Sequence, residues 1–258
     1  MPIHPTAIID SNATIAADAE IGPYCVIGPD VRIGARTRLM SHAVLEGKLT
    51  IGEDNIFFPF CSCGVAPQDK KYHGESSETI IGNGNTIREF VTIHRGTEGG
   101  GLRTLVGDHN LLMAYVHVAH DVIIHNHTIL ANGVTFAGHV TVEDYANIGG
   151  LSAIHQFCRI GKHAIVGSRS VIKQNVLPFS QTATDHESKV YGANRVGLQR
   201  SGFAAEAIEP LQNAFRLLSN SGLNTSQALA RIEQEVPLTA EVKELLDFIR
   251  SSERGFVK

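Results

Sequence analysis

From Ile9 onward every sixth residue is apolar: Ile9, Ile15, Ile21, Ile27, Ile33, Leu39, Leu45, Ile51, Phe57 and Cys63. The phase resumes at Ile81, Ile87 and Ile93, slips by one residue, and then holds from Val106 through Leu112, Val118, Ile124, Leu130, Phe136, Val142, Ile148, Ile154, Ile160 and Val166 to Ile172. So long a period of six is an internal repeat, in which each unit buries its apolar residue against its neighbours. Two residues before each apolar position stands a mostly small one, such as Ala7, Ala13, Cys25, Ala43, Cys61, Ala146, Ser152, Cys158 or Ala164. Side chains at i and i−2 of a strand share a face, so both point inward. Glycine often follows the apolar residue, as at Gly22, Gly34 and Gly52, where a tight bend would use its backbone freedom. Each hexad reads as one short strand and a turn.

Hexads of this form resemble the left-handed parallel β-helix, in which three of them make one triangular coil. Two stretches break the pattern and must loop out: GVAPQDKKYHGESSE after Cys63, and GTEGGGLRT at residues 96 to 104. Long loops on a rigid solenoid tend to carry function. The hexads stop after Pro178, and from about Ala204 the spacing turns helical. Ile208, Leu211, Phe215 and Leu218 form one stripe, Leu229, Ile232 and Val236 a second, and Val242, Leu245 and Ile249 a third, with Asn224 and Thr239 as N-caps. The predicted fold is mainly β: a left-handed parallel β-helix of hexapeptide repeats with a C-terminal α-helical cap. The domains are expected at 1–190 and 191–258.

Composition narrows the function. With 258 residues, 43% hydrophobic and 19% charged, the chain can bury a large core. It has no apolar run of the roughly 18 residues a membrane span needs, so no transmembrane segment is expected. MPIHPTAIID lacks the regions of a signal peptide, so a cytoplasmic location is expected. A net charge of −4 argues against a nucleic-acid partner. Cys25, Cys61, Cys63 and Cys158 contain no CxxC pair; they occupy inward positions and read as small core residues.

Coil arithmetic then gathers four of the 13 histidines. His117 and His120 in HVAHD, His139 one coil on and His155 two coils on converge on one corner. His120, Gly138 and Gln156 follow one another at intervals of three hexads and so stack in one column. Neighbouring coils are about 4.8 Å apart, so His120 stands one strand spacing from the Gly138 backbone. A general base beside a backbone amide is the geometry of acyl transfer. His109, His127 and His163 share another column with Tyr145 and read as a surface ladder or as contacts between subunits.

The hexads together with QDKKYHGE, TIHRGT, GDHNLLMAYVHVAHD, AGHV, GGLSAIHQFCRIG and GLQRSGF resemble the bacterial UDP-N-acetylglucosamine O-acyltransferases of lipid A biosynthesis over nearly the whole chain. The resemblance implies transfer of an R-3-hydroxyacyl group from acyl carrier protein to the 3-position of UDP-N-acetylglucosamine, with no cofactor and no metal, by a homotrimer whose pockets lie between subunits. It makes His120 the general base, Asp121 the carboxylate that orients it, and Gly138 the oxyanion-hole position. Consecutive strand residues point to opposite faces, so a corner would have to bring His120 and Asp121 together. His117, His139, His155 and Gln156 match pocket residues, and Gln68, Asp69 and Lys71 match substrate contacts in the first loop. Asn194 and Arg200 match nucleotide contacts, and Ser168 matches a ruler for acyl length. Val196 stands where an acidic residue is frequent, and Ser201 replaces a second arginine.

Other readings stay open: acylation of a 3-amino analogue of the sugar, a zinc-dependent hydrase using His117 and His120 on the same fold, or a non-catalytic scaffold. The related N-acyltransferase carries an additional N-terminal uridine-binding domain, for which hexads starting by Ile9 leave no room.

Overall fold

A computed structural model describes residues 3–183, 189–220 and 222–258. The hexads wind into a three-sided solenoid. Among the described residues its sheets hold nine, eight and ten strands, each strand bonded to the one a coil away. The first face runs from Ile8–Ile9 to Val171–Ile172, the second from Thr14–Ile15 to Arg159–Ile160. The third runs from Glu20–Ile21 to Ile165–Val166 and continues into Ser180–Ala183, which turns back antiparallel against Lys189–Ala193. The apolar hexad residues fill the interior; Ile27, Leu45, Phe57, Ile93, Val118, Phe136 and Ile160 are buried. All four cysteines are free and buried among them.

The slip in the repeat has a structural cause. Leu45 pairs with Cys63 across an uninterrupted coil of three hexads, whereas Cys63 pairs with Ile93 and Ile93 with Val118 across longer stretches of chain. The first of these exceeds a coil by two hexads. The second exceeds it by one hexad plus one residue, and that residue is the slip. Both loops therefore leave the first face, one coil apart, immediately before the histidine-bearing coils.

The glycines correct one expectation. Those after the apolar residue, Gly64 at φ +78° excepted, do not supply a left-handed bend. A Cβ on Gly34 would instead collide with the backbone of Gly52 one coil away, so close approach excludes a side chain. The left-handed corners fall to non-glycine residues, among them Tyr24, His42, Asp121, His139 and His163, with φ of 54 to 62°. That region is uncommon for such residues, and here each corner is locked by bonds from coil to coil, such as His139 N donating to His120 O at 3.1 Å. Rings on these corners stack: His109, His127, Tyr145 and His163 form a ladder with centroids 4.7 to 5.1 Å apart; the first three are exposed as a surface ladder requires, whereas His163 is buried against Phe179 and Phe203.

Beyond the solenoid lie α1 (Arg195–Arg200), α2 (Ala205–Asn220), α3 (Thr225–Glu235) and α4 (Ala240–Arg250). Asn224 and Thr239 cap α3 and α4 by accepting from Gln227 N and Val242 N. Val236 ends α3 as its C-cap. The six-residue α1, too short to show a stripe, is not visible in the apolar spacing.

Candidate active site

The strand His117–Val118 ends at the edge between the first and second faces, and the chain turns there through His120 and Asp121. Asp121 adopts φ +60°, which swings its carboxylate to the side of the preceding imidazole. His120 Nδ1 and Asp121 Oδ2 are 2.8 Å apart. The contact that strand alternation forbids is thus made by a left-handed corner. Asp121 is buried, so its lone pairs need donors. Thr97 supplies two, its N–H to Oδ1 at 2.9 Å and its hydroxyl to Oδ2 at 2.5 Å. With Asp121 accepting at Nδ1, the neutral imidazole carries its proton there and presents a lone pair at Nε2.

Gly138 lies directly beneath the ring. A methyl group on it would stand 2.7 Å from His120 Nε2 and 3.0 Å from Nδ1. Among the described residues no acceptor takes the Gly138 N–H. His139 is set on the next corner at φ +62°, edge-on to His120 and stacked on Phe157. Its Nε2 is 3.9 Å from Asp121 Oδ2. Burial lowers the His139 pKa despite the opposing pull of that carboxylate.

His117 shares a hydrogen bond of 2.7 Å with Thr92 Oγ1 through Nδ1, and its pKa is lowered by burial and then by His120. Behind it lies His94, edge-on at 4.9 Å between centroids and 4% exposed. Burial, with His117 and His120 adding, lowers His94 to about 4, and its Nδ1 has no partner among the described residues. The first loop brings Asp69 Oδ2 to 4.0 Å from His120 Nε2 and lays Gln68 along the same cavity. Lys71 is exposed, with its backbone N–H donating to Asp69 Oδ1. His155 and Gln156 are exposed two coils on, and Arg254 reaches back from the C-terminal segment to 3.3 Å from His155 Nδ1.

Gln68, His117, His120, Gly138, His155 and Gln156 line a groove of about 540 Å³ along the first face, whereas His139, Asp69 and Lys71 are not among its lining residues. Its head is His117, His120, Gly138 and Gln68; its floor is Thr135, Phe136, Ala137, Ala153 and Ile154; its far end is Val171 and Lys173. A larger cavity of about 850 Å³ sits at the first coil, lined by residues such as Ile3, His4, Asp18 and Leu39; its imidazole, His4, has Nδ1 against the Thr6 hydroxyl at 2.9 Å and, among the described residues, is tied to no carboxylate. We assign the chemistry to the smaller groove for that reason.

Three predicted residues lie apart from this corner. Asn194 is the N-cap of α1, bonded at the His163 corner between the second and third faces, and Arg200 is the last residue of α1. Asn194 is nine-tenths buried and structural on its own chain: its carbonyl accepts from Gly197 N at 3.1 Å and its amide donates to His163 O at 3.1 Å. Arg200 is exposed. Ser168 is exposed on the corner before Val171 and is not among the residues lining the groove.

His120, Asp121 and His139 place three donor atoms within 4.8 Å. The 2.8 Å between His120 Nδ1 and Asp121 Oδ2 is a hydrogen-bond distance, and both carboxylate oxygens already accept from Thr97, so the donor set fits an oriented base better than a cation site. Sequence reasoning missed Thr97 and His94. The loop containing Thr97 was visible, but not where it folds back; His94 was hidden because the insertion after it shifts its phase.

Comparison with known proteins agrees with the fold. A family profile for bacterial hexapeptide-repeat transferases matches residues 3–35 and 103–138. One described as domain 2 of UDP N-acetylglucosamine O-acyltransferase matches residues 175–257. The chain is 48% identical over 256 residues to an acyl-(acyl-carrier-protein) UDP-N-acetylglucosamine O-acyltransferase from Thermodesulfovibrio yellowstonii, covering 99% of both. Among solved structures, it is 41% identical to a UDP-N-acetylglucosamine acyltransferase from Bacteroides fragilis, with a TM-score of 0.96, 99% of this chain and 100% of that one. An Arabidopsis UDP-N-acetylglucosamine acyltransferase aligns at 33% identity and a TM-score of 0.85, over 99% and 100% of the two chains.

Proposed function

The chain belongs to the UDP-N-acetylglucosamine O-acyltransferases, and from that premise we propose that His120 is its general base, Asp121 the group that orients the base, and Gly138 the donor to the oxyanion. The enzyme transfers an acyl group from acyl carrier protein to UDP-N-acetylglucosamine as an O-ester. We assign the donor as an R-3-hydroxyacyl chain, the acceptor as the sugar 3-hydroxyl, and the pathway as lipid A biosynthesis.

His120 Nε2 takes the hydroxyl proton as the oxygen attacks the thioester carbon. The C–O bond forms, the carbonyl electron pair moves to oxygen, and the unpaired Gly138 N–H donates to that oxyanion. On collapse the C–S bond breaks, and the imidazolium returns its proton to the leaving thiolate. Ester and carrier thiol result. The observation that carries this reading is one juxtaposition: an imidazole tied at Nδ1 to a buried carboxylate, its other nitrogen over a glycine at the head of an apolar groove. The groove runs about three strand spacings, roughly 14 Å, from His117 to Val171, long enough for a medium acyl chain.

The active form is a homotrimer. The start of α1 is bonded at the His163 corner and the histidine groove lies along the first face, a separation that supports an arginine from α1 serving the nucleotide of a neighbouring copy. No helix among the described residues is long and apolar enough to cross a membrane. Both substrates are water-soluble, which fits a cytoplasmic site. The test is turnover by purified protein with UDP-N-acetylglucosamine and hydroxyacyl carrier protein, with and without chelator. His120→Ala should lose about 10²- to 10⁴-fold in kcat while remaining folded. Near-normal turnover by that variant would remove the mechanism, and loss of wild-type activity to chelator would favour a metal centre.

A further inference from the structure

We propose that Thr97 is the positioning residue of the catalytic pair: by holding both oxygens of Asp121 it sets the orientation and the tautomer of His120. The inference rests on the preceding reading of His120 as base and Asp121 as its orienting group, and it assigns a task to the second loop, which that reading leaves unused.

The Asp121 side chain is 1% exposed. A carboxylate so placed has three donors around it: His120 through Nδ1, and Thr97 through both its N–H and its hydroxyl. One residue gripping the two oxygens separately stops rotation about the bond that carries the carboxylate, as a bidentate partner does. A carboxylate only accepts, so the Thr97 hydroxyl must donate, and Oδ2 is left in line with His120 Nδ1. Thr104 differs. Its hydroxyl accepts from Asp121 N at 2.8 Å, which ties the backbone and leaves the carboxylate free to turn.

Thr97 is itself fixed. It is 6% exposed and precedes a single helical turn, Glu98–Gly100, closed where Gly100 N and Leu102 N both donate to Thr97 O, at 3.1 and 2.9 Å. Gly101 and Leu102 take left-handed φ of 89 and 65° to bring the chain back. Gly100 lies flat against the carboxylate; a Cβ there would overlap Asp121 Cγ, so bare backbone seals the pair from water. Glu98 N also donates to Glu75 Oε1 at 3.3 Å, which links this turn to the loop that carries Gln68 and Asp69.

The test is steady-state kinetics on the full-length enzyme, with ¹⁵N NMR of the His120 ring. Thr97→Val removes the hydroxyl while keeping the shape and the N–H. It should lower kcat about 10- to 100-fold, the range for one hydrogen bond to a charged group. KM for UDP-N-acetylglucosamine should stay within about twofold, and Thr97→Ser should restore kcat to within about threefold. The nitrogen spectrum should change from one tautomer, protonated at Nδ1, to a mixture. In an Asp121→Ala background Thr97→Val should add nothing. If Thr97→Val does not fold, Thr97→Ala is read by the same kcat and spectrum. Wild-type kcat with an unchanged spectrum in the hydroxyl-free variant, or losses that multiply in the double variant, would overturn the role of Thr97. Normal turnover by Asp121→Ala alone would instead remove the underlying pair.

Discussion

Gly138→Ala isolates the stacking on which the proposed chemistry depends. The added methyl would stand 2.7 Å from His120 Nε2 and 3.0 Å from Nδ1, and nearer still to the carbon between them. Ordinary carbon contacts begin at about 3.5 Å, so the ring must retreat by about 1 Å. It is tied on its far side to Asp121 Oδ2 at 2.8 Å, and Asp121 is clamped by Thr97, so retreat breaks or bends the orienting bond. A misplacement of about 1 Å at a reacting group costs about 10²-fold. Losing a hydrogen bond to a carboxylate adds about 1.5–3 kcal/mol, or about another tenfold where the two losses overlap. We expect kcat to fall about 10²- to 10³-fold. Gly138 does not occupy the left-handed region, so alanine takes its backbone conformation and the chain should still fold, with the strained orienting bond costing up to about 1.5–3 kcal/mol and the melting temperature falling by no more than about 10 °C. The assay is single-turnover transfer from hydroxyacyl carrier protein at saturating acceptor. Transfer within about threefold of wild type by a folded Gly138→Ala enzyme would refute the stacking of base over amide as the source of catalysis.

His94, held to about 4 in the fold against 6.5 when unfolded, is neutral in the native state and takes up a proton on unfolding. Its stability is therefore full above pH 6.5 and is lost as pH falls towards 4, by about 3 kcal/mol in all. His163, also lowered to about 4, contributes over the same window, so urea titrations at about pH 7 and about pH 4.5 should compare wild type with His94→Gln, whose loss should be smaller; equal losses would reject the assignment. For the trimer, His120→Ala and Arg200→Ala chains, each impaired alone, should regain part of the activity when unfolded together and reassembled, because some pockets then draw both intact residues from different chains; no recovery in mixed trimers would place both on one chain. For chain length, Ser168→Gly should favour longer donors and Ser168→Met shorter ones in competition assays. Because Ser168 is not among the residues lining the groove of its own chain, an unchanged preference in both would assign the limit to Val171.

The placement of Gly138 under His120 was legible because parallel strands in register turn a spacing of three hexads into a spacing of one coil, and no loop interrupts the chain between them. Where loops do interrupt, the same arithmetic fails. His94 falls one position past the strand residue paired with Val118, yet its number shares no phase with the other histidines. The pairing of His120 with Asp121 depends on one backbone angle, and alternation predicts the opposite. Thr97 reaches Asp121 from the start of the second loop, ahead of a turn whose shape comes from Gly100, Gly101 and Leu102. Asn194 shows the reverse limit: its side chain already caps α1 and bonds the solenoid, so a nucleotide contact has to be made at another edge of the group or at its expense.

A solenoid suits this reaction because its two critical distances come from different physical sources. The separation of base and oxyanion donor is a strand spacing, about 4.8 Å, which hydrogen bonds from coil to coil hold more tightly than side-chain packing could. The orientation of the base cannot come from the coil, since each hexad turns its outward side chains towards solvent. It has to be imported, and the second loop imports it by laying Thr97 and Gly100 over Asp121. The first loop carries Asp69 towards the opposite nitrogen of the same ring. Both insertions leave the first face one coil apart, so they close over His120 from neighbouring levels and leave the groove towards Val171 open for the acyl chain. The coil thus sets where the atoms stand, and the two interruptions of the coil set which nitrogen of His120 acts.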